Sequence, residues 1–70
     1  MIGKPYLVQR EDGSFLLEFS GDNGIFSISI EKNVKESGWY YASLNHKTQY
    51  GDLTEEMMEC LTKFFEENNT

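Results

Sequence analysis

Ile25-Phe26-Ser27-Ile28-Ser29-Ile30-Glu31 is the stretch that decides the fold. Phe26, Ile28 and Ile30 alternate with Ser27, Ser29 and Glu31, a period of two. Such alternation puts the apolar set on one side of a strand and the polar set on the other, so the sheet is dry on one face and wet on the other. Upstream, Gly21-Asp22-Asn23-Gly24 reads as a turn, and Ser14 to Phe19 as a strand with Phe15, Leu17 and Phe19 on one face and Leu16 and Glu18 on the other. Before it, Glu11-Asp12-Gly13-Ser14 carries the Asp-Gly pair of a hairpin, because glycine accepts φ > 0. Tyr6 to Arg10 is then the first strand, opened by Pro5 where a missing N–H costs least. Downstream, Lys32 to Gly38 is a polar loop, Trp39 to Leu44 a fourth strand, and Asn45 to Gly51 a polar loop with room for a short fifth strand near Tyr50.

From residue 53 the period changes. Leu53, Met57, Met58, Leu61, Phe64 and Phe65 recur at steps of three and four, the spacing of one side of a helix. Thr54 suits the N-cap, Glu55 and Glu56 suit the first turn, and Leu53 with Met58 has the spacing of a hydrophobic staple. The expected fold is α+β: a four-stranded antiparallel meander, with a short fifth strand as an option, and a C-terminal amphipathic helix packed on one face. The sheet spans 4–51 and the helix 54–67 within a single domain of 1–70. The face carrying Phe15, Leu17, Phe19, Phe26, Ile28 and Ile30 meets the helix. In the fourth strand Tyr40, Ala42 and Leu44 are assigned inward, and Trp39 and Tyr41 outward beside Leu16, Ser27 and Ser29. A bulge would reverse that assignment.

The chain has 70 residues, twelve Asp and Glu against six Lys and Arg, a net charge of −6 and a pI near 4.5. An acidic balance argues against a sequence-independent grip on phosphates, so direct nucleic-acid binding is not expected. No stretch approaches the roughly 18 apolar residues of a membrane span. Met1-Ile2-Gly3-Lys4-Pro5 has no apolar core of signal-peptide length, and Cys60 has no second cysteine to pair with. Together these point to a reducing compartment, with the cytoplasm as the expected location. With 39% apolar and 14% aromatic residues the chain is not composed like a disordered one. A protein of this mass buries roughly 61% of its unfolded surface, a thin margin that self-association would widen.

Catalytic signals are sparse. His46 falls in a loop and Cys60 near the apolar stripe of the helix, so they do not suggest a dyad. One His and one Cys lack the spacing of a zinc motif, and no glycine-rich phosphate loop precedes a helix. Neither an enzyme nor a cofactor or metal is expected.

Two features remain. Residues 1–51 hold six acids and five bases, whereas residues 52–70 hold six acids and one base. At about 100° per residue, Glu55, Glu56, Glu59, Thr62, Lys63 and Glu66 share one outward arc of the helix, with Glu59 and Lys63 spaced as an i,i+4 pair. The plain reading is a solvated face that keeps a small protein soluble. The sharper one is a surface that docks on a basic patch. The second feature is Trp39-Tyr40-Tyr41 followed by Asn45-His46-Lys47-Thr48-Gln49-Tyr50. Strand aromatics usually pack, but an outward Trp39 and Tyr41 rimmed by Ser and Asn would suit an interface hot spot. With His46, Lys47 and Tyr50 they could instead receive a small nucleotide or a single strand, although a basic groove is lacking.

The order of elements resembles, in outline, single-strand-binding transcriptional coactivator domains and several small phage-encoded inhibitors. It is a likeness of architecture that no residue motif carries. The function expected from the sequence is a small acidic protein-binding module, a regulator or phage-type inhibitor that occludes a basic surface of a partner through Glu55, Glu56, Glu59 and Glu66 or through Trp39 and Tyr41. The alternatives are a ligand-binding module using His46, Lys47 and Tyr50, and a homodimer joined through the outer sheet face or an edge strand.

Overall fold

The computed structural model describes residues 2–68. Five antiparallel strands, β1 (Tyr6–Gln9), β2 (Phe15–Gly21), β3 (Gly24–Ile30), β4 (Gly38–Ser43) and β5 (Gln49–Asp52), follow one another in a single open sheet of order β1-β2-β3-β4-β5, and α1 (Glu55–Asn68) ends the chain. The short strand near Tyr50 is therefore a full member of the sheet, and it forms one edge.

Local chemistry sets each turn. Gly13 adopts φ 89°, the left-handed conformation the Asp-Gly signal calls for. Asp12 Oδ1 accepts from the Ser14 N–H at 2.9 Å and from the Ser14 hydroxyl at 2.7 Å, which closes the β1–β2 turn. Between β3 and β4, Asn33 caps a 3₁₀ turn (Val34–Glu36), and the buried Ser37 hydroxyl accepts from the Glu31 N–H at 2.8 Å. At the start of α1 the Thr54 carbonyl accepts from the Met57 N–H at 3.0 Å, which opens the ladder at the expected position.

The inner face expected for β2 and β3 is found. Its centre is Phe26 and Ile28, with Cys60 and Phe64 from α1. The β4 expectation is overturned. Trp39 and Tyr41 are 4% and 2% exposed, whereas Tyr40 is 46% and Leu44 82% exposed. Register gives the reason. Phe26 lies opposite Tyr41 and Ile28 opposite Trp39, in an unbroken ladder with no bulge. Directly opposed side chains share a face, so the inward set of β3 carries Trp39 and Tyr41 inward with it. The Trp39 ring stacks on Phe26 at 5.6 Å, and Tyr41 meets Phe64 edge-on at 5.8 Å. Gly51, opposite Trp39 on β5, makes this fit: a Cβ there would come within 3.0 Å of Trp39 Nε1.

Of the helical stripe, Phe64 is fully buried and Met57 and Leu61 pack on the core, but Met58 is 56% exposed. Phe65, seven residues on from Met58, meets Phe19 of β2 at 5.6 Å. The helix C-terminus is held by two asparagines. Asn68 Oδ1 accepts from the Asn23 N–H at 2.7 Å and Asn68 Nδ2 donates to the Phe64 carbonyl at 2.8 Å, while Asn23 Nδ2 donates to the Glu67 carbonyl at 2.9 Å. The Asn23 amide thus satisfies the Glu67 carbonyl, one of those that a helix end leaves orphaned. Gly21 leaves the space that Asn68 occupies, since a Cβ would collide with its amide.

Two substitutions check this description. Trp39→Ala should cost about 3–5 kcal/mol, enough to unfold a domain of this size, whereas Tyr40→Ala should stay within about 1 kcal/mol. Equal effects in urea denaturation would restore the outward assignment of Trp39. Asn68→Ala strips the Asn23 N–H of its acceptor and should lower the unfolding free energy by about 1–2 kcal/mol without altering the far-UV spectrum.

Candidate functional site

The helix covers one face of the sheet and leaves the other open. Register aligns two rows across that outer face: Tyr6, Glu18, Ser27, Tyr40 and Tyr50, and beside them Val8, Leu16, Ser29, Gly38 and Asp52. In the middle strands these rows bring together small residues, Ser27, Ser29 and Gly38. They form the floor of a shallow groove of about 780 Å³. Leu16 on β2 stands on one side, Tyr40 and Tyr50 on the other, and Glu36, Ser37 and Asp52 at one end. Gly38 is needed there, because a Cβ would lie 2.8 Å from the Gly51 carbonyl oxygen. Tyr40 and Tyr50 are directly opposed across β4 and β5, 46% and 78% exposed.

The polar groups of the groove are unevenly occupied. The Ser29 hydroxyl donates to Glu31 Oε1 at 2.8 Å, and that carboxylate also takes Arg10 Nη1 at 3.2 Å. The Ser27 hydroxyl donates to Glu18 Oε2 at 3.4 Å. Glu36 and Asp52 have no cation partner among the described residues, and no Lys or Arg lines the groove.

The acidic arc of α1 lies on the opposite side of the molecule. Glu55, Glu56, Glu59 and Glu66 are all exposed. No ion pair joins Glu59 to Lys63; among the described residues Arg10 pairs with Glu31, and His46 meets Glu67 in a contact that is ionic only when the ring is protonated. The i,i+4 spacing permits a contact that these side chains do not make. Glu67 stands at the margin of the arc and is only partly exposed. Its Oε1 meets His46 Nε2 at 3.0 Å, which brings an outside partner to a helix end whose last turn holds no base of its own.

The residues grouped in the sequence as an aromatic and basic set therefore divide among four places. Trp39 and Tyr41 are in the core, His46 is tied to the helix C-terminus, and Tyr50 opens onto the outer face, with Lys47 exposed in the β4–β5 loop. Trp39 and Tyr41 are thus buried rather than displayed outward, although Trp39 still contributes to the groove lining. The groove residues Tyr40, Glu36 and Asp52 were missed, because they converge only through strand register. Gly38 was the available signal, a glycine opening a strand otherwise rich in aromatics.

Two buried groups have shifted acidities. Burial, and after it the nearby Glu67 carboxylate, pushes the Tyr41 phenol above its ordinary value. Burial likewise pushes the Cys60 thiol up, and its Sγ–H donates to Gln49 Oε1 at 3.2 Å. No group of three or more metal-ligating side chains is found among the described residues, nor a helix long and apolar enough to cross a membrane. Compared with protein-family models, curated proteins and solved structures, the chain matches none.

A raised thiol pKa means the folded state holds this proton more tightly than the unfolded one. The stability it contributes is complete below the unfolded pKa and is lost as pH rises through the folded value. Cys60 should therefore react with an aromatic disulfide reagent at neutral pH only as fast as the fold opens, and at once in denaturing guanidinium. Rapid native labelling would contradict the buried, protonated thiol.

Proposed function

We propose that this chain is a small protein-binding module that covers a basic surface of a partner protein and regulates it by occlusion. One observation supports the reading above the others. Glu55, Glu56, Glu59 and Glu66 stand exposed on one helix arc with no cation partner among the described residues. The helix presenting them is fixed to the sheet by Phe64 and at its end by Asn68, so the carboxylates ride on a rigid support. Such an array attracts a basic surface from a distance and orients it on arrival. The groove on the opposite face repeats the sign, with Glu36 and Asp52 at one end.

A nucleotide-binding reading draws less support. Its aromatic and basic members do not converge, and a phosphate would meet carboxylates in the groove rather than Lys or Arg.

The test is charge reversal on the helix. The protein should retain from a native-host lysate a partner that is basic and that elutes as salt screens the contact, over about 0.1 to 1 M. A Glu55→Lys, Glu59→Lys, Glu66→Lys triple variant should lose that partner while its far-UV spectrum stays unchanged. Undiminished retention by the folded triple variant would refute docking through this face.

A further inference from the structure

We propose that the groove on the outer sheet face receives an arginine side chain from a basic segment of the partner, an inference that rests on the reading of this chain as a module for basic proteins. The groove combines what a guanidinium needs. Tyr40 and Tyr50 offer aromatic faces from neighbouring strands, and although directly opposed they make no ring contact with each other among the described residues. A planar cation gains from lying against such rings, and a guanidinium stacks on them where an ammonium acts only as a point charge. Asp52 follows Tyr50 by two residues and so shares its face, and Glu36 approaches from the β3–β4 connection. Both carboxylates lack a cation partner among the described residues, and a planar fork of N–H donors matches a carboxylate in a way an ammonium does not.

The other wall fits the same occupant. Leu16 offers apolar surface to the methylenes of a long side chain, and Ser27, Ser29 and Gly38 keep the floor low enough for it to lie across the sheet. No Lys or Arg lines the groove, so nothing within it repels an incoming cation or competes for Glu36 and Asp52. An acidic peptide or a nucleic-acid backbone would meet the opposite situation. Charge complementarity and the two exposed rings therefore select the same ligand chemistry, on a face remote from the acidic helix.

The experiment is an amide-resolved NMR titration of the full chain with a blocked tripeptide carrying arginine between two glycines. Parallel titrations use peptides with lysine or with citrulline, the uncharged isostere. Saturable shifts should centre on Ser29, Gly38, Tyr40, Tyr50 and Asp52 with the arginine peptide. The lysine peptide should bind about threefold or more weakly, and the citrulline peptide should leave the spectrum unchanged. Tyr50→Ala and Asp52→Asn should each weaken the arginine peptide about threefold. Tyr50 is 78% exposed, so the first variant keeps its fold, and the dispersion of its spectrum verifies this. An equal response to citrulline, or no response at all, overturns the proposal. Shifts confined to helix amides 55–66 also overturn it while leaving the basic-partner reading intact. That reading fails separately, through undiminished lysate capture by the helix charge-reversal variant.

Discussion

The fold depends on the position of one ring. Phe64 of α1 meets Phe19 of β2 at 6.4 Å, Phe26 of β3 at 6.0 Å and Tyr41 of β4 at 5.8 Å. One side chain thereby links the helix to three strands. Burying a Phe contributes about 1.5–3 kcal/mol, and aromatic pairing adds about 0.5–1.5 kcal/mol for each well-placed partner. Domains of this size have unfolding free energies of about 4–10 kcal/mol, so this cluster is a large part of the whole. The orientation of β4 follows from it: Tyr41 reaches the Phe64 edge only if its strand turns Trp39 inward as well. Gly51 follows in turn, as the residue that leaves room for the indole.

A single helix sets a limit on what the sheet can bury. Fourteen residues make a rod about 21 Å long and about 10 Å wide, whereas five strands spaced about 4.8 Å apart span about 19 Å. The helix starts beside β5 and ends at the Gly21–Gly24 turn, where Asn68 and Asn23 fix it. Its diagonal course leaves the corner formed by β1, β2 and the end of β3 uncovered, and Leu7, Phe15 and Ile30 are exposed there although they belong to the inner face. The outer face is left bare. The accessible surface of 5113 Å² exceeds the roughly 4,500 Å² expected for this mass, as a slab of one sheet and one helix should. The thin dimension of 17 Å describes the same two-layer shape.

What the sequence revealed and what it concealed divide along the range of the interactions. The period of β3, the Asp12-Gly13 hairpin and the apolar steps from Leu53 to Phe65 are local, and each could be read without knowing its neighbours. The direction of β4 could not. Trp39-Tyr40-Tyr41 offers an aromatic to either face, and Ala42 and Leu44 tilt the balance toward the wrong one. Only the pairing of Phe26 with Tyr41 and of Ile28 with Trp39 decides it. The groove was hidden for the same reason. Leu16, Ser29, Gly38 and Asp52 are scattered in sequence and become one row only when three registers are set. The bond from Asn23 to Asn68 crosses 45 residues, and no local pattern announces it.

These long-range placements also give the net charge of −6 its meaning. Carboxylates without partners are a cost to a small fold, because like charges on a compact body repel. The cost is held down by distributing them over opposite sides of the slab, Glu55, Glu56, Glu59 and Glu66 on the helix and Glu36 and Asp52 toward the sheet face. Cations are used sparingly: Arg10 is committed to Glu31, and Glu67 is met instead by a hydrogen bond with the His46 ring, each contact joining separate elements. Glu55, Glu56, Glu59 and Glu66 on the helix, and Glu36 and Asp52 on the sheet face, have no cation partner among the described residues. Salt then acts in opposite senses on the two states. It relieves repulsion in the free protein, and it would screen the attraction between those faces and the basic partner proposed above. A cationic partner does locally what salt does diffusely, and adds geometry to it. The imbalance that weakens the isolated fold is therefore the same term that a basic partner would reverse.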